Sequence, residues 1–127
     1  MHDGTSRLKL NGEPVNVMAR IGTFSEYVVC PAEQLVPVRE DLPWTHAAII
    51  GCSVATGVGA VIRHAQVPAG ASVLVIGCGG VGLNVVQGAK LAGARMIIAA
   101  DLLDNKLQYA KHFGATHTIN AREEDVV

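Results

Sequence analysis

The chain has 127 residues, half of them hydrophobic, and a formal net charge of -1. That length suits one ordinary domain or pieces of two, with enough apolar residues for a sizeable core. The near-neutral charge removes any electrostatic case for nucleic acid or an anionic membrane as partner, and no apolar run is expected to reach the roughly 20 residues that span a bilayer.

Along the chain, the polar start Met1-His2-Asp3-Gly4-Thr5 lacks the apolar core of a signal peptide. Residues 1–12 are polar and punctuated by Gly and Asn. Gly22 to Pro31, with Phe24, Tyr27, Val28 and Val29, reads as a short strand, and Leu35-Val36-Pro37-Val38 as another. Two strands alone leave a sheet face uncovered. Residues 45–65 are helix-compatible, with Thr45 as the expected cap and a division near Gly51-Cys52-Ser53, because each glycine weakens a helix by about 1 kcal/mol.

From Ala71 the pattern becomes regular. A strand over 72–77 is apolar without alternation, as for a parallel strand covered on both faces. A helix over 80–92 places Val81, Val85, Val86, Ala89 and Ala92 on one side and Asn84, Gln87 and Lys90 on another. A second strand covers 96–100, a second helix 104–113 and a third strand 116–120, with Gly93 and Gly114 ending the helices. Right-handed crossovers put the first strand beside the second and the third beyond it. The fold class expected is α/β, the first half of a Rossmann-type parallel sheet. Cys30, Cys52 and Cys78, odd in number and widely spaced, fit a reducing compartment and a cytoplasmic location.

The turn between the first of these strands and its helix, Gly77-Cys78-Gly79-Gly80-Val81-Gly82, carries the chemistry. Gly77 allows a sharp turn off the strand, Gly79 leaves room for a pyrophosphate, and Gly82 lets the helix pack close. Gly80 adds space, and the helix start favours a phosphate through its N–H groups. Asp101, nineteen positions after Gly82, ends the next strand, where a carboxylate can accept ribose hydroxyls and repel a 2′-phosphate. No Arg follows within the next twenty residues to offset that charge, so NAD is favoured over NADP. Lys106 is placed to reach the same ribose or its phosphate. It reads equally as an exposed helix lysine. A methyltransferase with S-adenosylmethionine, or a non-catalytic NAD-binding module, are the alternatives. A nucleotide triphosphatase is disfavoured, since G-x-x-x-x-G-K-[ST] is absent.

Gly51-Cys52-Ser53-Val54-Ala55-Thr56-Gly57, the glycine turn and Asp101 follow one another in an order that resembles the zinc-dependent medium-chain alcohol dehydrogenases. The branch that looks nearest is class III, the glutathione-dependent formaldehyde dehydrogenases. The resemblance runs from Asp3-Gly4-Thr5-Ser6-Arg7 through Gly22-Thr23-Phe24-Ser25-Glu26-Tyr27 to Phe113-Gly114-Ala115-Thr116. It implies that Cys52 is a catalytic-zinc ligand, that Thr56 and Val81 lie against the nicotinamide, and that Gly77, Gly79 and Gly82 hold the pyrophosphate. It further implies Asp101 and Lys106 at the adenosine ribose, and Met18 in the substrate pocket. Ser53 and Ala55 stand where glycine and serine are usual. Without the resemblance Cys52 is more simply a small buried hydrophobe, and Cys30 and Cys78 are read as packing residues.

The resemblance implies hydride transfer from a small alcohol to NAD, with zinc, in a homodimer or homotetramer. Only one of three catalytic-zinc ligands has a counterpart. The expected organisation is therefore an internal fragment. Residues 1–53 would be the end of a β-rich, GroES-like catalytic domain, and residues 54–127 the first half of the coenzyme domain.

Overall fold

The computed structural model describes residues 5–6, 8–17 and 22–124. The chain parts into two compact units, residues 1–40 and 41–127. The first holds a small antiparallel hairpin, β1 (Lys9–Leu10) and β2 (Glu13–Pro14). Asn11 and Gly12 turn it, both with positive φ (52° and 89°), the pairing that two-residue hairpins require. The Val15 N–H donates to the Leu8 carbonyl at 3.0 Å and extends the ladder.

The strands expected at 22–31 and 35–38 do not form. Bends occupy 24–27, and a single 3₁₀ turn, Ala32–Gln34, is the regular structure nearest to them. Phe24, Tyr27 and Val36 stand exposed. A strand needs a neighbour for its backbone groups and a cover for its apolar side, and among the described residues no strand pairs with these segments.

In the second unit Trp44 to His64 is one unbroken helical run: α1 (Trp44–Ile49), a wider π-type turn (Ile50–Val54), α2 (Ala55–Gly59) and a second wide turn (Ala60–His64). The expected division at Gly51–Ser53 is absorbed by the first wide turn instead of breaking the helix. Thr45 is not the cap; the run starts one residue earlier behind Pro43, whose fixed φ suits that entry. This also overturns the expectation about apolar length, because the 21-residue run is long and apolar enough to cross a membrane by length and composition. Neither property makes it a span, since a core helix meets the same test. Gly57 and Val61 are buried in this unit.

The remainder alternates as expected: β3 (Ser72–Ile76), α3 (Gly80–Leu91), β4 (Met96–Asp101), α4 (Asp104–Phe113) and β5 (His117–Asn120). The sheet is parallel, in the order β3-β4-β5, with Val75 opposite Ala99 and Ala99 opposite Thr118. Val75, Val86, Ala89, Ile97, Ala99 and Leu107 form the core between the sheet and the helices. Fully buried alanines let α3 and α4 lie close to β4. Coverage on both faces does not hold for β3. Val73 and Val75 point to the helices, whereas Leu74 and Ile76 on the other side are 46% and 71% exposed.

Candidate functional site: the glycine turn and the carboxylate behind it

The site begins where β3 ends. The Gly77 N–H makes a last sheet bond to the Ala100 carbonyl at 2.8 Å, and the chain then turns at Gly77 with φ +90°, a value that glycine adopts without strain. Gly79 is extended, and a Cβ built on it would meet nothing within 4 Å. That open space, in front of α3, is what a diphosphate needs from the backbone. The first N–H groups of the twelve-residue α3 have no partner inside the helix and point the same way. A Cβ at Gly82 would lie 1.9 Å from the Gly77 carbonyl oxygen, so the turn and the first helical turn interlock only with glycine there. The residues present therefore fit a dinucleotide phosphate.

Asp101 ends β4 behind this turn. Its side chain is only 8% exposed, and its Oδ2 accepts the Cys78 N–H at 2.7 Å and faces the Lys106 ammonium at 4.0 Å. Its Oδ1 accepts the Leu103 N–H at 3.1 Å. Desolvation pushes its pKa up, but the Cys78 and Leu103 N–H groups, Lys106 and the Leu102 N–H outweigh that and hold it below the usual aspartate value. Cys78 is buried as expected for a packing residue; its thiol is pushed up by burial first and by the Asp101 charge second, with Lys106 opposing. Gly77, Gly79, Gly80, Gly82, Asp101 and Lys106 thus come together around one turn, and Val81 stands 40% exposed beside it in the first turn of α3.

The helical run reaches the same place. A Cβ on Gly57 would be 2.6 Å from the Val81 carbonyl oxygen and from Asn84 Cβ, so α2 and α3 touch backbone to backbone. Ser53 Oγ lies 2.8 Å from where a Gly80 Cβ would be. Cys52 and Thr56 precede these two contact residues by one position each, and both are exposed. Met18 lies outside the described residues.

Asn84 corrects the expected polar face of α3. It is buried, and its Nδ2 donates to the Gly80 carbonyl at 2.8 Å and to Ser53 Oγ at 3.4 Å, while its Oδ1 accepts Gln87 Nε2 at 3.2 Å. The sequence alone does not single out Ser53, Gly57 and Asn84 for this contact. The available signal was the run of small residues on the helix that had to meet α3.

The described residues do not make a zinc site by themselves. Among them no group of three His, Cys, Asp or Glu side chains could hold a metal ion, and Cys52 alone would be one donor where a catalytic zinc takes three.

Residues 80–127 match the profile of a family described as zinc-binding dehydrogenase. Along 129 aligned positions, covering all of this chain and 34% of the relative, the chain is 51% identical to an S-(hydroxymethyl)glutathione dehydrogenase of Paracoccus denitrificans. It is 48% identical to an alcohol dehydrogenase class-3 of Cereibacter sphaeroides, over 98% of this chain and 34% of that protein. Among solved structures it resembles benzyl alcohol dehydrogenase from Acinetobacter calcoaceticus, with TM-score 0.67 and 40% identity over 71% of this chain and 25% of that one. An alcohol dehydrogenase from Thermus sp. ATN1 matches with TM-score 0.63 and 34% identity, over 70% of this chain and 25% of that one. The chain thus spans about a third of the length of the curated relatives it matches. By sequence along its whole length and by fold along most of it, the chain is similar to alcohol dehydrogenases, and residues 80–127 match the zinc-binding dehydrogenase profile.

Proposed function

We propose that this chain carries the coenzyme turn of an NAD- and zinc-dependent dehydrogenase that oxidises an alcohol, or the hydroxymethyl adduct of formaldehyde with a thiol. One observation supports this most: a glycine turn with open space at Gly79, backed by a nearly buried, ionised Asp101. The α3 N–H groups and Gly79 would receive the pyrophosphate. Asp101 would accept ribose hydroxyls with its remaining lone pairs, and its charge would oppose a 2′-phosphate. Lys106 would stand at the edge of that ribose. Val81 and Thr56 would flank the nicotinamide, which supplies the hydride acceptor when bound.

Cys52 would be one ligand of a zinc whose other ligands lie elsewhere in the whole protein. We place residues 1–53 with the catalytic domain and 54–127 with the coenzyme domain. The whole protein is read as a cytoplasmic homodimer or homotetramer acting on a small alcohol or aldehyde.

Calorimetric titration of the 127-residue chain with NAD, NADP and S-adenosylmethionine tests the coenzyme reading. NAD is expected to bind weakly at best, NADP more weakly still, and S-adenosylmethionine not at all. Binding of S-adenosylmethionine with none of NAD would replace the reading by a methyltransferase. The chain alone is expected to turn over no alcohol.

A further inference from the structure

We infer that Asp101 positions the phosphate-binding turn itself, in addition to any contact with a ribose. This rests on the coenzyme reading above for its functional meaning, but the contact stands on geometry alone. Once Gly77 has spent its N–H on the Ala100 carbonyl at 2.8 Å, the turn carries the next N–H, that of Cys78, away from the sheet ladder. Cys78 is 1% exposed, so water cannot serve it, and an unpaired buried N–H would be costly. Asp101 Oδ2 accepts it at 2.7 Å, the short distance of a charge-assisted bond.

The other oxygen holds the Leu103 N–H at 3.1 Å and so fixes the entry to α4. One carboxylate therefore stitches the turn after β3 to the turn after β4. Gly79 and the α3 N-terminus start from that stitched point. A carboxylate has about four acceptor positions, and the Cys78, Leu103 and Leu102 N–H groups engage at most three of them, so the stitch leaves a lone pair for a ribose. Diphosphate binding and ribose recognition are coupled through this one side chain. Opening the ribose site by removing Asp101 would also release the turn.

Two neutral replacements separate the roles. Asp101→Asn keeps an oxygen that can accept the Cys78 N–H, whereas Asp101→Ala keeps none, and the two carry the same charge. Each is titrated with ADP and with 2′,3′-dideoxy-ADP, which has the diphosphate but no ribose hydroxyls. The Ala variant is expected to bind the dideoxy nucleotide roughly tenfold more weakly than the Asn variant, the effect of one hydrogen bond. Equal affinities would overturn the proposal.

A second measurement needs no nucleotide and no variant. Acidifying the unaltered chain should move the Cys78 and Leu103 amide resonances together with the Asp101 carboxyl resonance. Lys106 and the Cys78 thiol also face Asp101; burial and the Asp101 charge push that thiol up, away from the acidic range. A Cys78 amide that ignores Asp101 would overturn the proposal. If neither nucleotide binds the unaltered chain, the coenzyme reading fails, and the amide titration decides the anchoring.

Discussion

Residues 1–40 and residues 71–120 contain similar kinds of apolar residue and use them differently. In the second stretch Val86, Ala89 and Ala99 are wholly buried and Ile97 is 2% exposed. In the first, Phe24 is fully exposed, Tyr27 is 90% exposed and Val36 is 82% exposed. Hydrophobic residues fold a chain only when their partners are within reach. The alternation of strand and helix after Ala71 supplies both layers within fifty residues, so each strand is next to its neighbour and under its helix. Among the described residues of the first forty, Phe24, Tyr27, Val29 and Val36 are left exposed with no such layer over them.

The largest test of that contrast is Ile97→Ala. It empties a wholly packed position, and the loss is expected at about 3 kcal/mol, as for other buried branched residues. Urea unfolding followed by circular dichroism reads it. A loss under 1 kcal/mol would mean that this layer is no better packed than the first forty residues.

Next comes the glycine pair. Gly82→Ala drives a methyl into the Gly77 carbonyl oxygen and should destabilise the chain by about 2 kcal/mol. Gly79→Ala meets nothing in the folded chain, so its stability should change by less than about 0.5 kcal/mol. Its methyl instead occupies the space assigned to the pyrophosphate, and NAD binding should weaken. If the two substitutions cost the same stability, the interlocked turn is wrong.

The same contrast explains what could be read from the sequence. Gly77, Gly79, Gly82 and Asp101 were legible because each answers a local backbone need at a fixed spacing, and β3 to β5 were legible because neighbouring elements satisfy one another. The Asn11-Gly12 hairpin also carries a local signal, although the surrounding polarity hid it. The Phe24 and Leu35 segments looked like strands because their composition suits a half-buried pleat, but composition cannot supply the missing neighbour. Asn84 was misplaced for a tertiary reason. A polar residue turns inward only when another element brings it a partner, here Ser53 on a helix thirty-one residues earlier. The Asp101–Cys78 bond was illegible in the same way, since nothing in the spacing says which way the Cys78 N–H points.

A smaller effect should appear with pH. Asp101 has a folded pKa below its ordinary value of about 3.9, so the unfolded chain takes up its proton first as pH falls. Its stabilisation is fully present above about pH 3.9 and is lost as the pH falls through the folded value. The unaltered chain should therefore lose more stability than Asp101→Asn over that acidic window. Parallel acid-unfolding curves for the two would remove Asp101 from the list of groups that hold the turn.

The smallest effect is expected in the first forty residues, and it is the one that could undo the opening contrast. Phe24 has no neighbour covering its ring, so Phe24→Ser removes no buried area and no packing contact. The hydrophobic contribution scales with area taken from water, which here is close to nothing, and stability should change by no more than about 0.5 kcal/mol. The measurement is the same urea transition used for Ile97→Ala, so the two values are directly comparable. A loss above 1 kcal/mol would require Phe24 to be covered in solution. The strand read from Gly22 to Pro31 would then be a real element, and the difference between the two regions would lie in which partners are at hand.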